Sequence, residues 1–276
     1  MLNFGCGTTF HPDWVNLDSS ALAPGVIGHD LRRGLPFASD SFDAVYGSHV
    51  LEHLGPDAAM RLLGECLRVL RPGGIARIVV PDLEAIARLY LEALAAAEQG
   101  EAHAEFRYDW SMLELYDQSV RTVPGGRMAS CLRRELGQRE VGFIESRVGA
   151  EALQAARGIP SRQADLRGLL YRRGRAAALR LRLGLASFLA WLALGSEGPR
   201  ALREGVFRRS GEVHQYMYDR YSLKRAMARA GFARIQVRTA GESAVPDFTR
   251  YGLEVRDGKA LKPDSLYLEG HKPAAT

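Results

Sequence analysis

Leu2-Asn3-Phe4-Gly5-Cys6-Gly7 decides the fold of this chain. A short apolar strand runs into two glycines, and a second apolar run, Trp14-Val15-Asn16-Leu17, ends at the carboxylate of Asp18. Glycine is required where backbone must turn tightly or lie against a ligand, because a Cβ would collide. A glycine turn after a first strand, with a carboxylate after a second, is the arrangement by which α/β proteins hold a nucleoside.

Outward from that turn, apolar strand-like runs alternate with helix-period segments over the first hundred residues, which predicts βαβ units and a parallel sheet. Strands are expected at Met1–Phe4, Trp14–Leu17, Val26–His29, Phe42–Gly47 and Ile75–Pro81. An amphipathic helix over Asp57–Leu70 starts behind Gly55-Pro56 and stops at Arg71-Pro72-Gly73-Gly74. Asp82 is placed to cap a helix from Leu83 to about Ala97. In a parallel sheet the carboxyl ends of the strands share one rim, where ligands bind. Gly5, Cys6, Gly7, Asp18, Asp30, Ser48 and His49 fall on it.

The 276 residues allow one large domain with an insertion; 46% hydrophobic and 25% charged residues suit a globular protein rather than a disordered one. Cys6, Cys66 and Cys131 are odd in number and scattered without a CxxC pair, so neither a disulfide framework nor a cysteine zinc site is expected. No basic stretch followed by an apolar run opens the chain, so a signal peptide is not expected and a reduced, cytoplasmic setting is.

Three segments carry a family resemblance: Leu2–Gly7, Leu35–Leu54 (Leu-Pro-Phe-Ala-Ser-Asp-Ser-Phe-Asp-Ala-Val-Tyr-Gly-Ser-His-Val-Leu-Glu-His-Leu) and Leu67–Gly74 (Leu-Arg-Val-Leu-Arg-Pro-Gly-Gly). In order and spacing they resemble the class I S-adenosylmethionine-dependent methyltransferases of the branch with a Leu-Glu-His signature after strand four. The resemblance covers residues 1 to about 90, resumes near 212, and implies a seven-stranded, mostly parallel Rossmann-like sheet. It implies S-adenosylmethionine as cofactor and S-adenosylhomocysteine as product. Gly5 and Gly7, with Asn3 and Cys6, would meet the methionine part; Asp18, with Ser19, the ribose hydroxyls; and Asp30 with the Leu31 backbone the adenine edge. Ser48, His49 and His53 would lie near the sulfonium. The chain departs from the family where Asn3 replaces an acid and where a third glycine is missing. Ten residues between Gly7 and Asp18 leave room for a loop, not a full first helix.

His49-Val50-Leu51-Glu52-His53 also spells H-x-x-E-H, in which two histidines one helical turn apart bind zinc. That zinc-peptidase alternative needs a long helix under the motif. Here a strand enters at Phe42–Gly47 and Gly55-Pro56 stops any helix soon after, so no metal is expected.

Residues 98–211 lack the alternating pattern and are expected to form a mainly helical insertion or lid between residues 1–97 and 212–276. Tyr108 and Trp110 are candidates to line an acceptor pocket, against the commoner role of packing between helices. From Arg162 to Arg209 eleven arginines face three acids. They enclose Leu183–Leu194, an uncharged run too short to span a membrane. The segment 175–195 suits a membrane interface, a buried helix or a dimer contact. Nucleic acid is disfavoured, since the arginines are helix-spaced without aromatic platforms.

From His214 to Tyr221 a polar-aromatic stretch leads into a helix expected to be capped by Ser222, followed by strands at Ala233–Thr239 and Ser265–His271. This ending is similar to the C-terminal hairpin of the same class, and its His214, Tyr218 and Asp219 resemble bacterial enzymes of glycan modification. The expectation is O-methylation of a sugar or lipid-linked surface glycan. A hydroxyl acceptor gains from a base; His214 is the candidate, with Asp219 orienting it and His49 in reserve. Tyr216 and Tyr218 could stack on a sugar face. The alternatives are a small natural-product acceptor and a non-catalytic cofactor-binding protein.

Overall fold

The structure, a computed structural model, describes residues 1–20, 23–157 and 182–274. Strands β1 (Leu2–Phe4), β2 (Val15–Asp18), β3 (Val26–Gly28), β4 (Phe42–Ser48), β5 (Leu70–Pro81), β6 (Ala233–Arg238) and β7 (Ser265–His271) form one sheet. Their spatial order is β3-β2-β1-β4-β5-β7-β6. The first five pair in parallel, and β7 runs antiparallel between β5 and β6. The strand order reverses at β1, so the Gly5–Gly7 turn lies at the switch point where such sheets bind ligands. No helix separates β1 from β2, as the short spacing predicts.

Alternating side chains give the sheet two buried faces. Leu2, Phe4, Leu17, Val45, Ile78, Leu266 and Leu268 pack against α1 (Pro56–Val69) and the C-terminal helix. The buried stripe of α1 is Ala59, Leu62, Leu63, Cys66 and Val69. Gly47 is what lets Phe4 lie flat against β4: a Cβ there would sit 2.1 Å from its ring. On the other face Ala44, Tyr46, Val79 and Tyr267 meet Trp14, Val245, Phe248, Tyr251 and Leu253. The connection between β6 and β7 therefore covers the sheet where a first helix is missing. Beneath it Arg77, fully buried, is forked by Glu254 and bonded to Glu269 at 2.8 Å.

Several boundaries move. β5 starts at Leu70, because Arg71–Gly74 is an irregularity in a longer strand: Phe42 pairs with Leu70 but Ala44 already with Ile75. Asp82 caps α2 (Leu83–Glu98) through the Glu84 N–H. The C-terminal helix begins at Arg220 and its cap is Asp219, whose Oδ1 accepts from the Tyr221 and Ser222 N–H groups. Ser222 is the reciprocal third residue of that capping box, so the predicted cap is displaced by three positions.

Between these parts, α3 (Ala104–Met112) continues through a π-helical turn at Leu113–Asp117. It packs with helices α4 (Gly126–Leu132), α5 (Gln138–Val148) and α6 (Ala150–Ala156) around Leu89, Trp110, Leu132, Ile144 and Leu153. Helix α7 spans 182–194, and α8 (Glu197–Arg208) leads back towards the sheet, where α9 (Arg220–Arg229) follows. Among the described residues no helix is long and apolar enough to cross a membrane.

Candidate active site

A cavity of about 1050 Å³, at the upper end of ordinary ligand pockets, opens at the carboxyl ends of β1, β2 and β4. Gly5, Asp18, Ser19, Asp30, Leu31, His49, His53, His214 and Tyr216 line it. These residues come from β1–β4 and from the 209–217 segment after α8, so two distant parts of the chain close the site.

The glycine turn is fastened to the acid it serves. Gly7 donates its N–H to Asp18 Oδ2 at 2.9 Å, and Oδ1 accepts from the Ser20 N–H at 2.9 Å and Ser19 Oγ at 3.3 Å. A carboxylate offers about four lone-pair sites, so these three bonds leave one, on Oδ2, to accept a further hydroxyl. Both glycines are left-handed, with φ of +63° and +52°. Gly5 has a steric reason too: a Cβ would lie 2.3 Å from Val50 Cγ2. Packing thus accounts for Gly5, where family resemblance implies ligand approach. Asp30 lines the cavity, but its carboxylate is forked by its own neighbour Arg32, 2.9 Å from Nε and Nη2. That side-chain bond holds the Asp30 acid below its usual range.

Other residues fall away from the cavity. Asn3 is buried in a pair with Asn16, its Nδ2 donating to Asn16 Oδ1 and to the Thr9 carbonyl, both at 3.1 Å. It braces the loop that replaces the first helix and lines no ligand space. Cys6 is buried, and desolvation pushes its thiol up to about 12, so it packs as an apolar group. Ser48 points to a separate small cavity and accepts from Lys262 Nζ at 2.9 Å. Trp110 is inside the helical core, donating to Glu114 Oε1 at 2.7 Å, and Tyr108 lies beside Tyr90; neither reaches the site. Tyr218 is a core residue 4.8 Å from Tyr216, ring to ring. Asp219 caps α9 and makes no hydrogen bond to His214, so it does not orient that ring.

What meets His214 instead is the strand-four motif. His49 directly follows β4, and Glu52 and His53 sit on a 3₁₀ turn, Leu51–His53, rather than the long helix a zincin requires. His49 is left-handed at φ +56°, unusual for a non-glycine and typical of functional turns. Its Nε2 meets Ser265 Oγ at 2.9 Å and its Nδ1 lies 3.3 Å from Glu52 Oε1. The His53 ring packs edge-on against His214 at 4.7 Å. Burial depresses all three imidazoles, His53 to about 4 and His214 to about 3, and raises the Glu52 carboxyl. Glu52 is the residue that sequence reasoning passed over. Its signal is the Leu-Glu-His motif itself, but only the fold brings His214 beside it.

A parallel sheet reversing at β1, a glycine turn clamped to an acid, and a histidine turn after β4 are the arrangement of class I methyltransferase domains, a class whose methyl donor is S-adenosylmethionine. Residues 15–78 match the family described as "Methyltransferase domain". The chain is 36% identical over 171 residues to a demethylmenaquinone methyltransferase of Beutenbergia cavernae, across 53% of this chain. It spans 66% of that relative's length. Among solved structures it is similar to an S-adenosylmethionine-dependent methyltransferase of Mesorhizobium loti, at 16% identity, TM-score 0.36, 98% of this chain and 89% of the other. It is similar also to one from Archaeoglobus fulgidus, at 11% identity, TM-score 0.38, 98% and 85%.

Proposed function

We propose that this protein transfers a methyl group from S-adenosylmethionine to a hydroxyl of a sugar or lipid-linked glycan, in the cytoplasm and at a membrane surface. The observation that carries the reading is the shared cavity: the Asp18-clamped glycine turn and the imidazoles of His49, His53 and His214 face one space, with Glu52 buried behind them. S-adenosylmethionine fits the residues present, with a free acceptor site on Asp18 for a ribose hydroxyl and the Leu31 backbone beside Asp30 for the adenine edge. When bound it supplies an electrophilic methyl on a sulfonium and departs as S-adenosylhomocysteine.

Residues of the chain then align the acceptor and take its proton, the two tasks methyl transfer to a hydroxyl leaves to a protein. His214 is neutral at neutral pH and faces the cavity, so it can receive that proton. An imidazolium near pH 3 holds a proton poorly unless a carboxylate supports it. Glu52 supplies that support in place of Asp219, through the cluster it shares with His53. Tyr216 is the aromatic side chain remaining at the rim to stack on an acceptor ring.

The membrane part rests on α7. Leu185, Phe188, Leu189, Trp191, Leu192 and Leu194 are each more than half exposed there, and repeat at helical spacing. Arg182, Arg200, Arg203, Arg208 and Arg209 flank them against Glu197 and Glu204, complementing an anionic lipid surface. Arg208 and Arg209 also line the cavity, which links that surface to the site. Residues 175–181 of the basic segment lie outside the described residues. A demethylmenaquinone-type acceptor is the second reading, favoured by the Beutenbergia relative.

Labelled methyl transfer into fractionated cell extract, scored in glycan, lipid and small-molecule pools, tests the acceptor. Label confined to a quinone pool selects the second reading, and label in none of them overturns both. His214→Ala is expected to lower turnover about 100- to 10,000-fold with S-adenosylhomocysteine binding unchanged; full activity would remove the base assignment. Flotation with anionic vesicles is expected for the chain and lost without residues 182–194. Self-association through that face without vesicles would make it a contact between copies instead.

A further inference from the structure

We infer that Glu52, His53 and His214 hold one divalent transition-metal ion, of the zinc class, in the wall of the methyl-transfer cavity. One ligand atom from each of the three lies within 4.8 Å of the others. A tetrahedral site with bonds near 2.0–2.1 Å has ligand–ligand edges of about 3.3 Å, so the side chains need only draw in by roughly 1.5 Å.

The frame for that movement already exists. The Glu52 carbonyl accepts the N–H groups of Gln215 at 2.7 Å and Tyr216 at 3.3 Å, and the His53 carbonyl accepts Gln215 Nε2 at 2.9 Å. Two segments 162 residues apart are therefore stitched together by backbone at the point where the three side chains converge.

An independent observation points to a missing partner. Glu52 is fully buried, yet neither carboxylate oxygen has a hydrogen bond; His53 Nδ1 and His214 Nδ1 are buried and unbonded as well. Buried polar atoms are nearly always paired, and buried charges are paired or bind metal. Four such atoms at one spot exceed what a single shared proton can satisfy. His49, with Nδ1 3.3 Å from Glu52 Oε1 and Nε2 on Ser265, has the place of an outer residue that orients a metal-bound carboxylate.

Two imidazoles and one carboxylate are the donor set of catalytic zinc sites, which keep a further position open. An all-oxygen ion such as magnesium is a poorer match. His53 and His214 line the cavity, so the open position faces it. On the methyltransferase reading, an ion there would acidify an acceptor hydroxyl whose proton passes to water in the cavity, and His214, the base of the metal-free chain, would be its ligand. Metal binding itself does not depend on that reading.

The test uses the full chain, stripped with chelator and titrated with Zn²⁺ by calorimetry and with Co²⁺ by visible absorption, beside S-adenosylhomocysteine titration. One equivalent of metal is expected, with cobalt bands of a site below six-coordinate and a Zn²⁺-dependent rise in melting temperature. Glu52→Gln and His53→Gln are each expected to weaken metal binding on the order of 100-fold, and His49→Gln about 10-fold. In all three, an unchanged circular dichroism spectrum reports an intact fold. A wild-type chain that binds S-adenosylhomocysteine but neither ion overturns the metal site and leaves the methyltransferase reading standing. Metal binding unchanged in the double Glu52→Gln/His53→Gln variant also overturns it. One equivalent of metal lost with those ligands, without S-adenosylhomocysteine binding, supports the site and removes the methyltransferase reading.

Discussion

Gly5→Ala isolates what the opening glycine is for. The native φ of +63° is left-handed, which costs an alanine about 1–2 kcal/mol. The new Cβ would also lie 2.3 Å from Val50 Cγ2, an overpacking that costs about 1–3 kcal/mol. The single variant should therefore lose about 2–5 kcal/mol. Val50→Ala alone removes two methyl groups from a residue only 9% exposed and should lose about 1–3 kcal/mol. Together the two changes fit: the nearest remaining atom is Val50 Cβ at 3.5 Å, an ordinary contact, so only the backbone cost and part of the lost packing survive. The double variant should be more stable than the sum of singles by about 1–3 kcal/mol. Urea unfolding with an unchanged slope measures all four corners of the cycle, and S-adenosylhomocysteine affinity should recover along with stability. Additivity within about 0.5 kcal/mol, or recovered stability with affinity still lost, would refute the packing explanation and return Gly5 to direct ligand contact.

Asp18→Asn should weaken S-adenosylhomocysteine binding about 10- to 100-fold by calorimetry and loosen the turn by about 1–3 kcal/mol, since the Gly7 N–H loses a charged acceptor; unchanged affinity would take the ribose role from Asp18. Arg77→Met should cost about 3–5 kcal/mol in urea unfolding, because it strands Glu254 and Glu269 inside the fold, and Arg77→Lys should recover only part; a neutral result would mean those acids find other partners. Between about pH 6.5 and 4.5 the depressed His49, His53 and His214 are opposed by three carboxyls that burial raises, Glu52, Glu254 and Asp264, so the chain's own slope is close to flat. His214, held near 3, refuses one proton that the unfolded chain takes up, so wild type should lose about 1.4 kcal/mol per pH unit relative to His214→Gln; parallel pH profiles would contradict the buried, neutral imidazole.

Much of the sheet was legible because parallel strands buried on both faces give short apolar runs, and Pro and Gly mark their ends. The absence of a helix after β1 followed from ten residues of spacing. Less legible was what covers the bare face: Val245, Phe248, Tyr251 and Leu253 come from an irregular connection with neither period two nor 3.6. Tyr108 and Trp110 show why an aromatic in an insertion misleads, since burial against neighbouring helices leaves the same composition as a pocket. Asp219 and Asn3 were misassigned for a common reason. A polar side chain on a rim has backbone to satisfy before any ligand, and both do so, one at a helix start and one in a loop.

The H-x-x-E-H motif makes the sharpest contrast between pattern and geometry. On a helix, His49 and His53 would share a face and Glu52 would act beside them; on the observed 3₁₀ turn the peptidase arrangement cannot form. The turn instead drives Glu52 inward, where it is fully buried, and leaves the imidazoles of His49 and His53 at the cavity. His214 then arrives from the far end of the chain, its own N–H on the Gln118 carbonyl and those of Gln215 and Tyr216 on the Glu52 carbonyl. Residue identities that suggest one chemistry in sequence thus converge in space with a different third member. On the proposed function, a hydroxyl acceptor needs its proton removed and its oxygen held in line. A buried carboxylate ringed by neutral imidazoles can do both, whether through a proton relay or around a bound ion.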